Sequence, residues 1–340
     1  MVVTFVKSLL PKLLPYFVHI FNSIIESSCF PTLWKEAKVI PVSKSINEYR
    51  PIAILPYISK VFESILHEQI NNYLDENNII HDFQSGYRAK HSCITALLNV
   101  SEDIRQQVDA NRLTFLTLLD HSKAFDTLHA GMLCMKLRMF YNFSNNAVSL
   151  IQNYLDNRSQ AVNINDKVSS MCAVQRGVPQ GSILGPLLFS LYINDLPYVL
   201  KFSKIHLYAD DVQLYSSCLP SDIILGIQNV NHDLRSIYEW ASANGLSLNP
   251  SKSKAIIISR QKLDYETVPH ITLNSTIIEY VSKVKNLGVI FNRNLSWSDH
   301  INSAVGKVYG MLRTLWITQS YPSLRIRMIL AKMYLLPTLL

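Results

Sequence analysis

Apolar residues along this chain follow two different periods. From Ser59 to Asn77, the positions Val61, Phe62, Ile65, Leu66, Ile70, Tyr73 and Leu74 recur at a spacing near 3.6, which predicts an amphipathic helix. Cys93 to Val108 repeats that stripe, and Asp222 to Ala243 and Lys12 to Ser28 read as further helices, the latter punctuated by Phe30-Pro31. Shorter runs predict strands: an extended segment from Trp34 to Val42, then Leu113 to Leu119, Lys254 to Ser259 and Val284 to Phe291. The Leu113 to Leu119 run is apolar and β-compatible and ends abruptly at Asp120, as a buried central strand would. Two more runs, Ile205 to Ala209 and Val212 to Ser216, flank Asp210-Asp211 and predict a hairpin with two carboxylates at its tip. Strands and helices mix without regular βαβ alternation, so the expected class is α+β.

Composition changes this picture little. A chain of 340 residues, 48% hydrophobic and 17% charged, can bury a sizeable core. Lys plus Arg number 32 against 25 Asp plus Glu, a formal charge of +7, which suggests an anionic partner such as nucleic acid without deciding it. Five scattered cysteines with no C-x-x-C pair read as buried thiols of an intracellular protein. Val2 to Ile25 is apolar, but Lys7, Pro11, Lys12, Pro15 and His19 break it into an expected helix pair rather than a membrane span. A nuclear or cytoplasmic protein with no membrane partner is expected.

The carboxylates carry the candidate chemistry. Phosphoryl transfer onto a 3′-hydroxyl uses two divalent cations, and such hard cations need carboxylate oxygens. Asp120 at a strand end and the Asp210-Asp211 pair at a hairpin tip converge on one site if the two elements are neighbours in one sheet. An isolated Asp-Asp pair more often only satisfies turn donors.

The pair is not isolated. Tyr208-Ala209-Asp210-Asp211 resembles the YADD box of reverse transcriptases, and Leu119-Asp120-His121-Ser122-Lys123-Ala124-Phe125-Asp126 resembles the first metal-binding motif of non-LTR (LINE-type) retrotransposon polymerases. Arg176 to Phe189, with Pro179-Gln180-Gly181-Ser182 at its centre, resembles their nucleotide-binding motif. Tyr49-Arg50-Pro51-Ile52 and Gln84-Ser85-Gly86-Tyr87-Arg88 match their fingers boxes, and Asn244-Gly245-Leu246, Asn249 to Lys252 and Asn286-Leu287-Gly288-Val289 their late palm boxes. These boxes stand in the family's order across nearly the whole chain.

The resemblance implies a right-hand polymerase that copies RNA into DNA, with an RNA template, a DNA primer and deoxynucleoside triphosphates as partners. Asp120, Asp210 and Asp211 would be catalytic and hold two Mg²⁺ ions, or Mn²⁺ in their place. Arg50, with Lys44 as a weaker companion, would grip the triphosphate, a task suited to a fork-shaped donor. Gln180 and Gly181 would approach the nucleotide, since a residue without a side chain permits close backbone contact. Phe125 would exclude a ribose 2′-OH, the alternative being a ring that only packs in the core. Lys252 would donate a proton to pyrophosphate or else form a salt bridge to the sheet. Gly288 would lie in the turn supporting the primer end.

Three departures stand out. His121 replaces a residue often aliphatic in the family, Leu128-His129-Ala130 replaces a Val-Asp-His run, and the segment from Pro41 to Arg50 is short. The expected organisation is an N-terminal helical extension (1–35), fingers and palm (36–292) and the start of a thumb, truncated (293–340). No endonuclease or zinc knuckle is expected on this product, and Ile301 to Trp316 and the tail from Met328 should be partly uncovered. The rival expectation is a catalytically silent nucleic-acid-binding remnant. The sequence leaves the oligomeric state undecided.

Overall fold

A computed structural model describes residues 2–45, 48–165, 167–261, 263–265, 267–318 and 322–339, without the side chains of residues 2–10, 44, 45 and 339. The chain opens with helix α1 (Val2–Ser27) and a 3₁₀ turn, Thr32–Trp34, then forms the hairpin β1 (Glu36–Ser45) and β2 (Glu48–Ile54). Helices α2 (Tyr57–Glu76) and α3 (Cys93–Asp109) precede strand β3 (Leu113–Leu119). Three helices follow, α4 (Ala124–Thr127), α5 (Ala130–Met139) and α6 (Asn145–Leu155), and then β4 (Arg158–Ile164), β5 (Lys167–Val168) and β6 (Cys172–Val174). Helix α7 (Leu184–Tyr192) leads to β7 (Lys204–Tyr208), β8 (Asp211–Cys218), α8 (Ile223–Ala243) and β9 (Lys254–Ile258). The short strands β10 (Thr272–Leu273), β11 (Thr276–Ile277) and β12 (Glu279–Tyr280) come before β13 (Lys283–Asn286) and β14 (Val289–Asn292). Helices α9 (Ser298–Ile317), α10 (Leu324–Tyr334) and α11 (Leu336–Leu339) close the chain, so the α+β expectation holds.

Two five-stranded sheets organise these elements, beside the two-stranded pairs β10–β11 and β13–β14. One joins β2-β1-β4-β5, with β6 on β4 and β1 running parallel to β4. The other has the order β12-β9-β3-β8-β7, and both neighbours of β3 run antiparallel to it. Leu113, Phe115 and Leu119 join the large core with α8 and α7, whereas Leu116 faces α3 through Leu97, Val100 and Ile104. A strand covered on both faces explains why the Leu113 to Leu119 run is continuously apolar rather than alternating. Its buried Thr114 is satisfied across the ladder by Ser217, with the hydroxyls 2.7 Å apart. Each fully covered Leu or Phe contributes roughly 1.5–3 kcal/mol. A reciprocal cap starts α3: the Thr95 N–H donates to Ser92 Oγ at 3.2 Å and the Ser92 N–H to Thr95 Oγ1 at 2.9 Å.

Three expectations are corrected. The N-terminal helix pair is one continuous helix containing Pro11 and Pro15; each proline removes an N–H donor, and the surrounding turns carry the axis through. Val284 to Phe291 is a hairpin rather than a strand, because Leu287 and Gly288 both take positive φ, 43° and 97°, the requirement of a tight two-residue turn. Of the cysteines only Cys134 is buried, since Cys29 follows the end of α1 and Cys172 lies on the edge strand β6. In α9 and α10 no described residue is buried, and Ile301, Tyr309, Trp316, Leu324, Met328 and Met333 are exposed, as expected for this segment.

Candidate active site

The β3–β8 ladder runs in register from Leu113 opposite Cys218 to Leu119 opposite Val212. Continued by one residue, it sets Asp120 across from Asp211. Side chains alternate along strands, so Asp120 shares a face with Leu118 and Leu116, and Asp211 shares one with Gln213 and Tyr215. Leu116, Leu118 and Tyr215 all belong to the core on the α3 side, so the two aspartates project from the same face of the sheet. β7 and β8 are joined by Ala209 and Asp210 alone, with Tyr208 opposite Asp211. The structure thus brings all three sequence-chosen aspartates to one corner of one sheet.

Asp120 is framed by the segment after α8. Its N–H donates to Ser253 Oγ at 3.2 Å, and its carbonyl accepts from the Asn249 N–H at 2.8 Å. Lys252 stands near enough for the Asp120 charge to raise its pKa, although the larger cause is its hydrogen bond to Glu48. That bond, Lys252 Nζ to Glu48 Oε1 at 2.6 Å, joins the segment after α8 to the β1–β2 hairpin. The salt-bridge alternative for Lys252 is therefore present, with a carboxylate on β2 as partner rather than one on the β3 sheet. Beside Asp120, His121 is buried with neither ring nitrogen hydrogen-bonded, and burial lowers its pKa to about 4.

Phe125 sits on α4 with its ring stacked on Phe189 of α7, centroids 4.7 Å apart, and meets the edge of Tyr87 at 6.5 Å. It is half-buried, so a supported ring also keeps an open face. The loop before α7 is laced to this segment by Val178 N–H to the Phe125 carbonyl and Gly177 N–H to the Leu128 carbonyl, both 2.8 Å. Gln180 Nε2 donates to Asp126 Oδ1 at 2.7 Å, while its carbonyl accepts from the Ala53 N–H of β2 at 2.7 Å. Gly181 has φ of 111°, and a Cβ there would stand 2.8 Å from the Ala53 carbonyl oxygen, so only glycine fits. A cavity of about 270 Å³ opens beside this loop, with Lys123, Asp126, Arg158, Arg176 and Gln180 in its wall.

Arg50 lies exposed on β2 opposite Val42. Lys44 lies on β1, and its side chain falls outside the described residues. Tyr87 stands between Arg50 and the aspartates: burial chiefly raises its pKa, the charges of Asp210 and Asp211 add to the rise, and Arg50 opposes it. Gly288 forms the tip of the β13–β14 turn, which is anchored to the β7–β8 hairpin by Asn286 Nδ2 donating to Gln213 Oε1 at 2.7 Å. Since Gln213 follows Asp211 by two residues, the turn and the aspartates share one sheet face.

Sequence reasoning missed Glu63. Fully buried on α2, it accepts at Oε2 from the Ile183 and Leu184 N–H groups, 2.8 and 3.3 Å, at the start of α7, and at Oε1 from the Ser59 hydroxyl. The signal was a carboxylate lying inside the apolar stripe between Phe62 and Leu66. Such a buried acid needs donors, and a helix N-terminus offers them. Tyr87 was likewise quoted within a box but given no role.

Among the described residues, no three Asp, Glu, His or Cys side chains form a ready-made ion cage. Carboxylates on one strand end and one tight turn suit magnesium-type ions, which keep several waters and take few protein ligands alongside substrate phosphates. No helix among the described residues is long and apolar enough to cross a membrane.

Comparison with known proteins places these features in context. The family model described as reverse transcriptase (RNA-dependent DNA polymerase) matches residues 40–291. The chain is 27% identical over 337 residues to the probable RNA-directed DNA polymerase from transposon BS of Drosophila melanogaster, covering 94% of this chain and 36% of that protein. It is 31% identical over 307 residues to the corresponding protein from transposon X-element of the same fly, covering 87% and 33%. The chain thus spans about a third of the length of these relatives. In fold it is similar to apo telomerase from Candida tropicalis truncated from its C-terminal domain, with a TM-score of 0.53, 12% identity, and coverage of 82% of this chain and 58% of that one.

Proposed function

Because this chain belongs to the reverse transcriptase (RNA-dependent DNA polymerase) family, we propose that it is the polymerase core of a non-LTR retrotransposon, copying an RNA template by adding deoxynucleotides to a DNA primer. The observation that carries this reading is the β3–β8 register, which aligns Asp120 with Asp211 and sets Asp210 in the adjoining turn. Residues 1–35 are assigned as a helical extension, 36–292 as fingers and palm, and 293–340 as the start of the thumb. The reading of a silent remnant has no observation in its favour.

Asp120, Asp210 and Asp211 would hold two Mg²⁺ ions, which when bound acidify the primer 3′-hydroxyl and neutralise triphosphate charge. The chain's own residues do the positioning. Arg50, exposed on β2, offers a planar fork of donors to phosphate oxygens, and Lys44 neighbours it on the paired strand. Phe125, backed by Phe189, cannot easily retreat from a sugar, so a 2′-OH meets a supported ring. Gln180 is held by Asp126 and by the β2 backbone, which fixes the approach of the Gly181 loop. Lys252, protonated at neutral pH, would deliver a proton to the departing pyrophosphate once its pair with Glu48, which raises its pKa, has opened. The Gly288 turn would support the primer end from the same sheet face.

Primer extension on an RNA template tests the proposal. The purified chain should extend a DNA primer with deoxynucleotides in Mg²⁺ and stop when the metal is chelated. Asp210→Asn should lower the rate at least about a hundredfold, as loss of charge stabilisation at a reacting centre does. A wild-type chain that folds but adds no nucleotide under any divalent cation would overturn it.

A further inference from the structure

Gln84 has no part in the chemistry above, yet its side chain lies fully buried against the catalytic turn. Its Oε1 accepts from two backbone groups, the Gly86 N–H at 2.8 Å and the Ala209 N–H at 3.3 Å. Both partners are donors, so the amide must present its oxygen to them. Around it the 83–86 segment is bound along β7: the Ser85 N–H donates to the Leu207 carbonyl at 2.9 Å, and the Leu207 N–H to the Phe83 carbonyl at 2.8 Å. Ser85 Oγ and His206 Nε2, 2.9 Å apart, add a side-chain tie.

The residue so held is under strain. Ala209 has φ of 55°, a left-handed conformation that residues with a Cβ avoid. It immediately precedes Asp210, so the peptide plane fixed by the Ala209 conformation directs the backbone from which Asp210 and Asp211 project. Strain at a non-glycine persists only when its surroundings over-determine it. Here the surroundings are the two-residue closure of the β7–β8 hairpin, the Gln84 amide oxygen and the backbone of Gly86.

We propose that Gln84 is a positioning residue for the aspartates: its carbonyl oxygen locks Ala209 in the left-handed turn and thereby sets the direction in which Asp210 and Asp211 present their carboxylates to metal. The inference rests on the polymerase reading and assigns the fingers box Gln84-Ser85-Gly86 a specific task within it. Without the acceptor, two buried N–H groups lose their partner and the turn loses a contact that favours positive φ at Ala209, which lets the peptide leading into Asp210 rotate.

Gln84→Met keeps the length of the side chain and removes the acceptor. In the full chain, Mn²⁺ affinity measured by electron paramagnetic resonance should weaken on the order of tenfold, as happens when a residue behind a metal ligand is lost. In primer extension the rate at saturating nucleotide should fall by a similar factor, with the nucleotide KM changed less than about twofold. Adding Ala209→Gly to Gln84→Met should recover a substantial part of both losses, because glycine adopts the left-handed turn freely. Unchanged Mn²⁺ affinity in a folded Gln84→Met chain, no recovery in the double variant, or a loss confined to nucleotide KM would each overturn the proposal.

Should Gln84→Met fail to fold, hydrogen exchange in the wild-type chain decides. An Ala209 amide protected like that of Leu207 supports the lock, and one exchanging as an open turn refutes it. A wild-type chain that binds Mn²⁺ with a protected Ala209 amide but makes no DNA would defeat the polymerase reading and leave the positioning role standing.

Discussion

Gly86→Ala puts the smallest possible perturbation at the glycine with the least room for a Cβ. A Cβ on Gly86 would lie 2.1 Å from Ala209 N, 2.9 Å from Ala209 Cα and 2.9 Å from the Tyr208 carbonyl carbon. All three are backbone atoms, so no side-chain rotation relieves the clash. Ordinary contact begins at 3.4 Å, so the 84–86 segment and the catalytic turn must separate by about 1.3 Å (3.4 − 2.1). Overpacking of this kind costs about 1–3 kcal/mol in stability. A displacement near 1 Å at a reacting centre costs about a hundredfold in rate. Urea unfolding and single-turnover primer extension would measure the two effects on the same preparation. Gly306→Ala is the control: a Cβ there meets nothing within 4 Å, and in a helix the change should be neutral or stabilising by up to about 1 kcal/mol. Gly86→Ala with the wild-type urea midpoint and rate would refute the steric account of why this position is glycine.

Three further outcomes are expected. Phe125→Ala should admit ribonucleotides, read as a fall in the ratio of kcat/KM for deoxy- over ribonucleotides; an active variant with unchanged discrimination would reduce the ring to packing. Asn286→Leu should cost about 1–3 kcal/mol by leaving Gln213 Oε1 buried without its donor, and the double variant with Gln213→Leu should cost less than the two singles summed, as a double-mutant cycle in unfolding free energy would record. Burial, helped by the positive charge of His91 and opposed by Asp103, lowers the pKa of His206 below the ordinary 6.5. Its neutral form therefore stabilises the fold above that pH, and the contribution is lost as pH falls through the window below 6.5. The drop in urea midpoint between pH 7.5 and 5 should be smaller in His206→Gln than in wild type; His67, His81 and His121, also lowered by burial, account for the remainder.

Legibility from sequence followed how local the determinant was. Leu113 to Leu119 could be read to the residue because an uncharged β-compatible run ends at a charge that the sheet cannot bury. The β7–β8 hairpin was legible too, although its turn is Ala209-Asp210 with Asp211 already on β8, one residue earlier than the expected Asp210-Asp211 tip. What stayed hidden depended on distant partners. Glu63 reads as one polar residue in a helical stripe until α7 supplies its N–H donors 120 residues later. The parallel pairing of β1 with β4 leaves no trace in either strand, and Lys252 found its carboxylate, Glu48, across the fingers rather than on the sheet. The Val284 to Phe291 hairpin was misread as one strand because β-compatible residues stand on both sides of Leu287-Gly288, although the family resemblance already implies a turn at Gly288.

The central position of β3 also sets a timetable for synthesis. Both of its hydrogen-bonding edges are filled by strands made later, β8 beginning at Asp211 and β9 at Lys254. At about 5–20 residues per second a ribosome needs roughly 5–18 s to make the 91 residues (211 − 120) between Asp120 and Asp211. Throughout that interval Leu-Thr-Phe-Leu-Thr-Leu-Leu is a nascent strand with no charge, no proline and no bonded neighbour, the composition that aggregates most readily. Helix α3, already made, can shield one face but neither edge. The strand that leads into Asp120 is thus the segment most dependent on a holding chaperone while the chain emerges, and slowing translation between β3 and β8 should lower the soluble yield.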